Sequence, residues 1–469
     1  MKTKKFVGIL LTAAAAAALA LSACAVTACG EDDPPPSPDP APEIITSVWD
    51  GSTPSSAPSS YEVSGNDIVI RDAAAFAWFA AQSETDDFEG KKVTLAANID
   101  LNGKEWSPVA PGARDGSSFD ETSCPFKGSF DGAGLTISGL SITSAATEEL
   151  GSAAADRALG LFGVVAGGTV GNFKLTEVSI NVPDNECVGS AVGLLTDGGS
   201  VTNVSVGGSL TAKNGNGGVV GRLTESGSIT DCSNSAEVTA TGNGGNTAGI
   251  VGAAYYTREN EEMNITGCSN VGKISGGTGV GGIVGLSAAN VKNCSNDGEI
   301  SGNNTSVGGI IGEQRNYGEV SGNVNTADVT NTNDGAFGTG GIIGWIRYFN
   351  DPTAYAVSET VAVTDNDNSG KISGGASAGG IVGHIYNRAV VSGNTNTAAA
   401  VSAKTFAAGI AGSLQLESNN MFADEEADID VTGNVSTTPV GSITADCADQ
   451  FAYNNDKTHF TVENNGDKA

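Results

Sequence analysis

Arginine is scarce in this chain of 469 residues, eight in all, yet five stand shortly after one recurring glycine: Arg222, Arg258, Arg315, Arg347 and Arg388. Six of the eight tyrosines do the same or nearly so, Tyr255, Tyr256, Tyr317, Tyr348, Tyr355 and Tyr386, and Trp345 and Phe349 join them. Aromatic faces beside guanidinium forks suit sugar rings or acidic protein segments. These twelve residues, Arg222 set aside, form the candidate binding set. The competing reading is that long loops need apolar packing and an acidic chain needs local counter-charge.

Other chemistry is thin. The two histidines, His384 and His459, are too few and too far apart for a His-based metal site. His384 follows Gly383 where other repeats carry Leu286, Glu313 or Trp345, so it reads as a variable position. No Gly-x-Ser-x-Gly stands on a strand-to-helix turn with a partner histidine. A polysaccharide lyase or glycosidase is the enzyme alternative, and hydrolysis would need two carboxylates within about 10 Å. No cluster of aspartates repeats from coil to coil. The densest acidic run, Asp424 to Asp430, could hold Ca²⁺ weakly or be a solvated loop. The expectation is therefore binding or passive spacing without catalysis and without a cofactor.

Those residues hang on a repeat. A block such as Gly-Gly-Ile-Val-Gly closes at glycines 163, 193, 221, 252, 285, 312, 344, 383 and 412, with a mean spacing near 31. After each block comes a second pattern, Asp231-Cys232-Ser233-Asn234, Gly267-Cys268-Ser269-Asn270 and Asn293-Cys294-Ser295-Asn296. In later copies Asn replaces Cys, at Asn323, Asn366 and Asn394. A third piece follows, as in Gly272-Lys273-Ile274-Ser275-Gly276. Short β-branched runs between Gly and Asn turns predict strands, and a steady period predicts that they stack. The expected fold is an all-β, right-handed parallel β-helix of about nine coils with an inward core of Ile, Val and Leu. Asparagines at equivalent positions should stack into a ladder. Cys232, Cys268 and Cys294 should stack too, as small buried hydrophobes rather than metal ligands. Cys124, Cys187 and Cys447 are the remaining cysteines outside the leader.

The repeats resemble the GLUG motif, most literally in Gly160-Leu161-Phe162-Gly163. Val93-Thr94-Leu95, Asn98 to Leu101, Trp106 to Val109, Phe126 to Gly132 and Leu135 to Leu140 are similar to the lead-in of GLUG-containing bacterial surface proteins. Among these is the non-catalytic region of IgA-cleaving metalloproteases. The likeness spans about residues 65 to 445. It implies an adhesin-like, surface-exposed β-helix that binds glycan or protein, not a defined reaction. The His-Glu-x-x-His zinc motif of those proteases is missing from the sequence.

The ends carry the address. Lys2, Lys4 and Lys5 precede an apolar stretch from Phe6 to Leu21, short for a membrane span. Leu21-Ser22-Ala23-Cys24 and Val26-Thr27-Ala28-Cys29 resemble the bacterial lipoprotein signal, and Gly30-Glu31-Asp32-Asp33 resembles an outer-surface tag. Lipidation is expected at Cys29, with Cys24 the alternative, placing the protein on the outer membrane, exposed at the cell surface. Residues 1–29 are the expected signal and 30–60 a Pro/Ser-rich linker. A cap with first coils should span 61–157, the repeats 158–446 and a tail 447–469. Asp72 to Gln82 is the helix candidate, with Asp72 as its cap and Phe76, Trp78 and Phe79 to cover the open end of the solenoid. A net charge of −30 argues against nucleic acid.

Overall fold

The computed structural model describes residues 46–115, 118–119, 124–143, 157–257, 262–348, 360–386, 388–414, 429–438, 460–463 and 466–467. Within these, parallel strands from successive repeats stack in order, so the chain is a parallel β-helix. One sheet holds nine strands among the described residues: Phe162–Ala166, Val192–Thr196, Val220–Glu225, Val251–Thr257, Val284–Ser287, Ile311–Arg315, Ile343–Arg347, Val382–Tyr386 and Ala411–Leu414. Each contains one closing glycine of the repeat. The nine coils read from glycine spacing are these nine strands.

The other strands of each coil wrap the remaining faces. Side chains alternate along them, so every second residue enters the core. Val201, Ile229, Ile265, Val291, Val320, Val363, Val391 and Val431 form one such inward column, in register and fully buried. β-Branched residues suit this position because their stiff χ1 packs on the residue one coil away.

Two polar ladders run beside that core. Asn234, Asn270, Asn296, Asn325, Asn368 and Asn396 pass one amide hydrogen bond from coil to coil at 2.8–2.9 Å. The second Nδ2 proton binds the carbonyl two residues on, as in Asn325 to Ala327 at 2.9 Å. Each buried amide is thus paired, as low-dielectric burial demands. The second column begins as Cys232, Cys268 and Cys294 and continues as Asn323, Asn366, Asn394 and Asn434. Cys294 N donates to Asn323 Oδ1 at 2.9 Å, and Asn323 Nδ2 donates to Asn366 Oδ1 at 2.9 Å. The thiols and the amides do one job. Each thiol points to a carbonyl of the preceding coil (Val201, Ile229 and Ile265) at 3.7 Å. Asn323 and Asn366 send Nδ2 to the corresponding carbonyls of Val291 and Val320 at 2.9 Å. The three cysteines are free and each is 1% exposed. The hydrogen bond from Cys268 and then burial push the Cys232 thiol well above its ordinary pKa, so it stays protonated.

The Gly-Gly corners exist because coils approach closely there. A Cβ on Gly341 would lie 2.1 Å from Gly380 O and 2.4 Å from Asn368 Cγ. The asparagine ladder and the paired glycines therefore come together. Before the second column the backbone is left-handed in every coil, at Asp231, Gly267, Asn293, Gly322, Asp365, Gly393 and Gly433. Only Gly, Asn and Asp take that conformation cheaply.

The helix forms at Ala73–Gln82, with Asp72 accepting from Ala75 N at 2.8 Å. Phe76 and Phe79 enter the core and meet Trp106, Phe88, Phe126, Phe130 and Phe162. Trp78 stays half-buried.

Two expected boundaries move. The composition predicts a linker over 30–60, but Thr46–Val48 pairs in parallel with Asn98–Asp100. Trp49, 6% exposed, meets Trp106 edge to face at 5.4 Å. One buried indole ties down a segment whose composition reads as tether. The tail at 447–469 also adds strands: Phe460–Glu463 pairs with Ile429–Thr432, and Gly466–Asp467 with Val435–Ser436. Phe460 stands in register with Ile429, and Val462 with Val431. The leader, Cys24 and Cys29 lie outside the described residues. Among the described residues no helix is long and apolar enough to cross a membrane.

Candidate functional site

The nine-stranded sheet decides which of the candidate residues meet. Arg315, Arg347 and Tyr386 end three successive strands and stand in exact register. On the preceding coil the paired strand ends at Ser287, opposite Gln314, and the next residue, Ala288, is fully buried in the core. Successive residues of such a column are about 4.8 Å apart. These are strand positions, not the loops the sequence suggested, because these strands run three residues past the closing glycine before the chain turns away.

Two residues earlier on each strand, on the same face, lies a second column: Leu194, Arg222, Ala253, Leu286, Glu313, Trp345, His384 and Ser413. After Arg222 interrupts it once, the column is Glu, Trp, His and Ser over four successive coils. Glu313 is 2% exposed and receives Ser306 Oγ at 3.2 Å. Arg315 Nε donates to Glu313 Oε1 at 2.5 Å, and Arg347 Nη1 lies 4.0 Å from the same oxygen. One buried carboxylate thus faces two guanidiniums. Their side chains are 17% and 39% exposed, so they form the outer layer.

Aromatic rings make the floor. The Arg347 guanidinium sits 5.1 Å from the Trp345 ring centroid, a cation–π arrangement. Trp345 meets His384 edge to face at 5.0 Å and Tyr386 at 6.4 Å. His384 stacks with Tyr386 at 6.0 Å and approaches Phe337 at 5.6 Å. His384 Nδ1 shares a hydrogen bond with Ser413 Oγ. Burial at 3% exposure pushes the His384 pKa down to about 3, so the imidazole is neutral near pH 7. The Trp345 indole Nε1 is buried without a hydrogen-bond partner. Such a group costs about 1–3 kcal/mol, and it sits under the row of charged and phenolic groups.

The rest of the candidate set disperses. Tyr255 is half-buried and its hydroxyl accepts from Arg222, whose guanidinium also binds Glu186 at 3.0 Å. Arg222 is 4% exposed, so that group is an internal tie. Tyr317 packs on the core. Tyr348 follows the row, half-buried, its N donating to Tyr386 O at 3.3 Å. Arg388 stands apart, half-buried, its carbonyl accepting from Val361 N at 3.1 Å. Tyr256 belongs to the strand Val251–Thr257, but its side chain lies outside the described residues, as do Arg258, Phe349 and Tyr355. Trp345 itself is floor rather than rim, because its strand position turns the ring towards His384.

Sequence reasoning passed over Glu313, His384 and Ser413. The available signal was the residue after each closing glycine, which leaves Leu and Ala for Glu, Trp, His and Ser in successive repeats. His384 stands at this variable position, buried between Trp345 and Ser413 of the neighbouring coils. Among the described residues, no three of His, Cys, Asp and Glu come together in a way that could hold a metal ion. The acidic run expected to hold Ca²⁺ is described only at Ile429 and Asp430.

No family model and no curated protein matches the chain. Among solved structures it is similar to a putative immunoglobulin A1 protease from Bacteroides ovatus, at 20% identity and a TM-score of 0.43, over 57% of this chain and 77% of that one.

Proposed function

We propose that the protein is a GLUG-type surface lipoprotein, anchored through Cys29, whose β-helix binds an extracellular ligand through the row Arg315, Arg347 and Tyr386. The observation that carries this reading is the run of Glu313, Trp345, His384 and Ser413 on four successive coils of one column directly beneath that row. A buried carboxylate, a neutral imidazole and an unpaired indole N–H are expensive in place of leucine and alanine. A core maintained only for stability would keep Leu286-like residues there. Groups that are costly to the fold and orient partly exposed side chains mark a site.

Catalysis is not part of the proposal. Hydrolysis of a glycosidic bond takes two carboxylates, and the row offers Glu313, which Arg315 and Ser306 already hold. The anchor rests on the lipobox resemblance of Val26-Thr27-Ala28-Cys29.

The test is ligand binding by the purified, detergent-solubilised mature protein, against glycan and extracellular-protein arrays. Arg347→Ala combined with Tyr386→Ala should abolish the signal while the melting midpoint stays within a few degrees. Unchanged binding would make the row structural. For the anchor, intact mass should place acyl chains on Cys29, and acylation of Cys24 or of neither residue would overturn that part.

A further inference from the structure

We infer that the column Cys232, Cys268 and Cys294 is a redox-sensitive folding switch: its coils close when all three carry thiol hydrogens, and a disulfide made among them before folding holds the coils open. The inference is independent of the reading of the row.

The first argument is the hydrogen. In seven successive coils this column faces the same carbonyl of the coil before. Cys232, Cys268 and Cys294 point Sγ at the carbonyls of Val201, Ile229 and Ile265 at 3.7 Å. Asn323, Asn366, Asn394 and Asn434 donate Nδ2 to those of Val291, Val320, Val363 and Val391 at 2.8–2.9 Å. A second carbonyl, two residues back on the same strand, flanks both kinds of side chain. Thr230 O lies 3.3 Å from Cys232 Sγ, and Ser392 O lies 3.1 Å from Asn394 Nδ2. What the seven coils share is a small buried donor, thiol or amide. A disulfide sulfur has no hydrogen to give and turns a lone pair towards both carbonyls.

The second argument is distance. Thr230 pairs with Thr266 and Ser233 with Ser269, so Cys232 and Cys268 stand in register. Cys268 and Cys294 do the same between their own paired neighbours. In-register residues of parallel strands point the same way, so their Cβ atoms keep the strand spacing of about 4.8 Å. A disulfide asks for about 3.5–4.5 Å between Cβ atoms. Cys232 and Cys294 are two spacings apart, about 9.6 Å, where Cα atoms more than about 7 Å apart cannot be bridged. Every pairing therefore asks the coils to move, against the close packing of Ile229, Ile265 and Val291, all fully buried.

The third argument is access. In the folded chain each thiol is 1% exposed. The hydrogen bond from Cys268 and then burial keep Cys232 protonated, whereas the attacking species in disulfide exchange is the thiolate. The open chain lacks both protections. There one cysteine thiolate attacks oxidised glutathione, forming a mixed disulfide and releasing one reduced glutathione. A second cysteine thiolate then attacks the mixed disulfide and releases the other. Two thiols give up two protons and two electrons, one S–S bond forms and one breaks, and the two glutathione thiols take up both.

The experiment uses the full mature protein in detergent. It is unfolded in urea, held reduced or treated with oxidised glutathione, freed of reagent and diluted to refold. The reduced chain should regain its cooperative melt. The oxidised chain should regain it at least about tenfold less, the effect of a misplaced crosslink, and dithiothreitol should restore it. The chain's own later coils supply the control: Cys232→Asn, Cys268→Asn and Cys294→Asn together should make the two refolding yields equal, although Cys124, Cys187 and Cys447 remain. Equal refolding of both pools of the natural protein overturns the inference. So does a triple variant that folds under reductant and fails after oxidation. A second measurement needs no variant. Folded natural protein is incubated with oxidised glutathione, denatured in acid without reductant, alkylated and mapped by mass spectrometry. All three column thiols should be found free, and a disulfide between any two of them in protein with a native melt overturns the inference.

Discussion

Acidification should weaken this protein through His384 before its carboxylates begin to titrate. The imidazole is 3% exposed, lies among Trp345, Tyr386 and Phe337, and bonds Ser413 Oγ. Burial lowers its pKa from 6.5 to about 3. A histidine depressed in the folded state binds its proton more readily when unfolded. Its contribution is whole above about pH 6.5 and is lost as the pH falls towards about 3. At about pH 5 the unfolded imidazole is about 1.5 units below its own pKa, and at 1.36 kcal/mol per unit the folded state has lost about 2 kcal/mol. Stopping near pH 5 keeps Glu62 and Glu319, whose pKa values lie below the usual carboxylate range beside Arg71 and Lys292, out of the measurement. The assay is chemical denaturation at about pH 7 and about pH 5, for the natural protein and for His384→Gln. The variant keeps a polar group near Ser413 but cannot titrate. It should be less stable at neutral pH and should lose about 2 kcal/mol less on acidification. Parallel pH profiles for the two proteins would refute the assignment of a neutral, buried imidazole.

Four further substitutions test the scaffold. Asn325→Ala removes a ladder member that accepts from Asn296 and donates to Asn368 and Ala327; unsaturated buried groups on both neighbouring coils should cost about 2–4 kcal/mol in a denaturant melt. Gly341→Ala places a methyl 2.1 Å from Gly380 O and should cost more than about 3 kcal/mol. Gly244→Ala meets nothing within 4 Å and should stay within about 0.5 kcal/mol. Phe79→Ala empties a fully buried site in the aromatic cluster beneath the helix, with an expected loss of about 3–5 kcal/mol by calorimetry.

Much of the architecture is legible in the residues themselves. A glycine that returns about every 31 residues dictates a coil, because only a backbone that passes close to its own copies needs that glycine each time. The Cys232, Cys268, Cys294 and Asn323 equivalence was readable from their common place before Ser-Asn or Val-Asn. Asp72 followed by Ala and three aromatics announced a capped helix with a face to bury. These signals are local or strictly periodic, and local chemistry suffices to produce them.

The tertiary structure decided what lies across coils. Spacings between closing glycines run from 27 to 39 residues, so loops of different length hide which residues become neighbours. Sheet pairing alone sets Arg315 beside Arg347 and Tyr386. The pleat decided that Trp345 is floor and Arg347 rim, two positions apart on one strand face. Glu313, Trp345, His384 and Ser413 each look unremarkable in their own repeat. They become one polar column only when a parallel strand pair, about 4.8 Å wide, lays each repeat on the last. Trp49 joined the body for the same reason: an indole in a polar stretch is bound by the surface it finds, and that surface is made by residues far away in the chain.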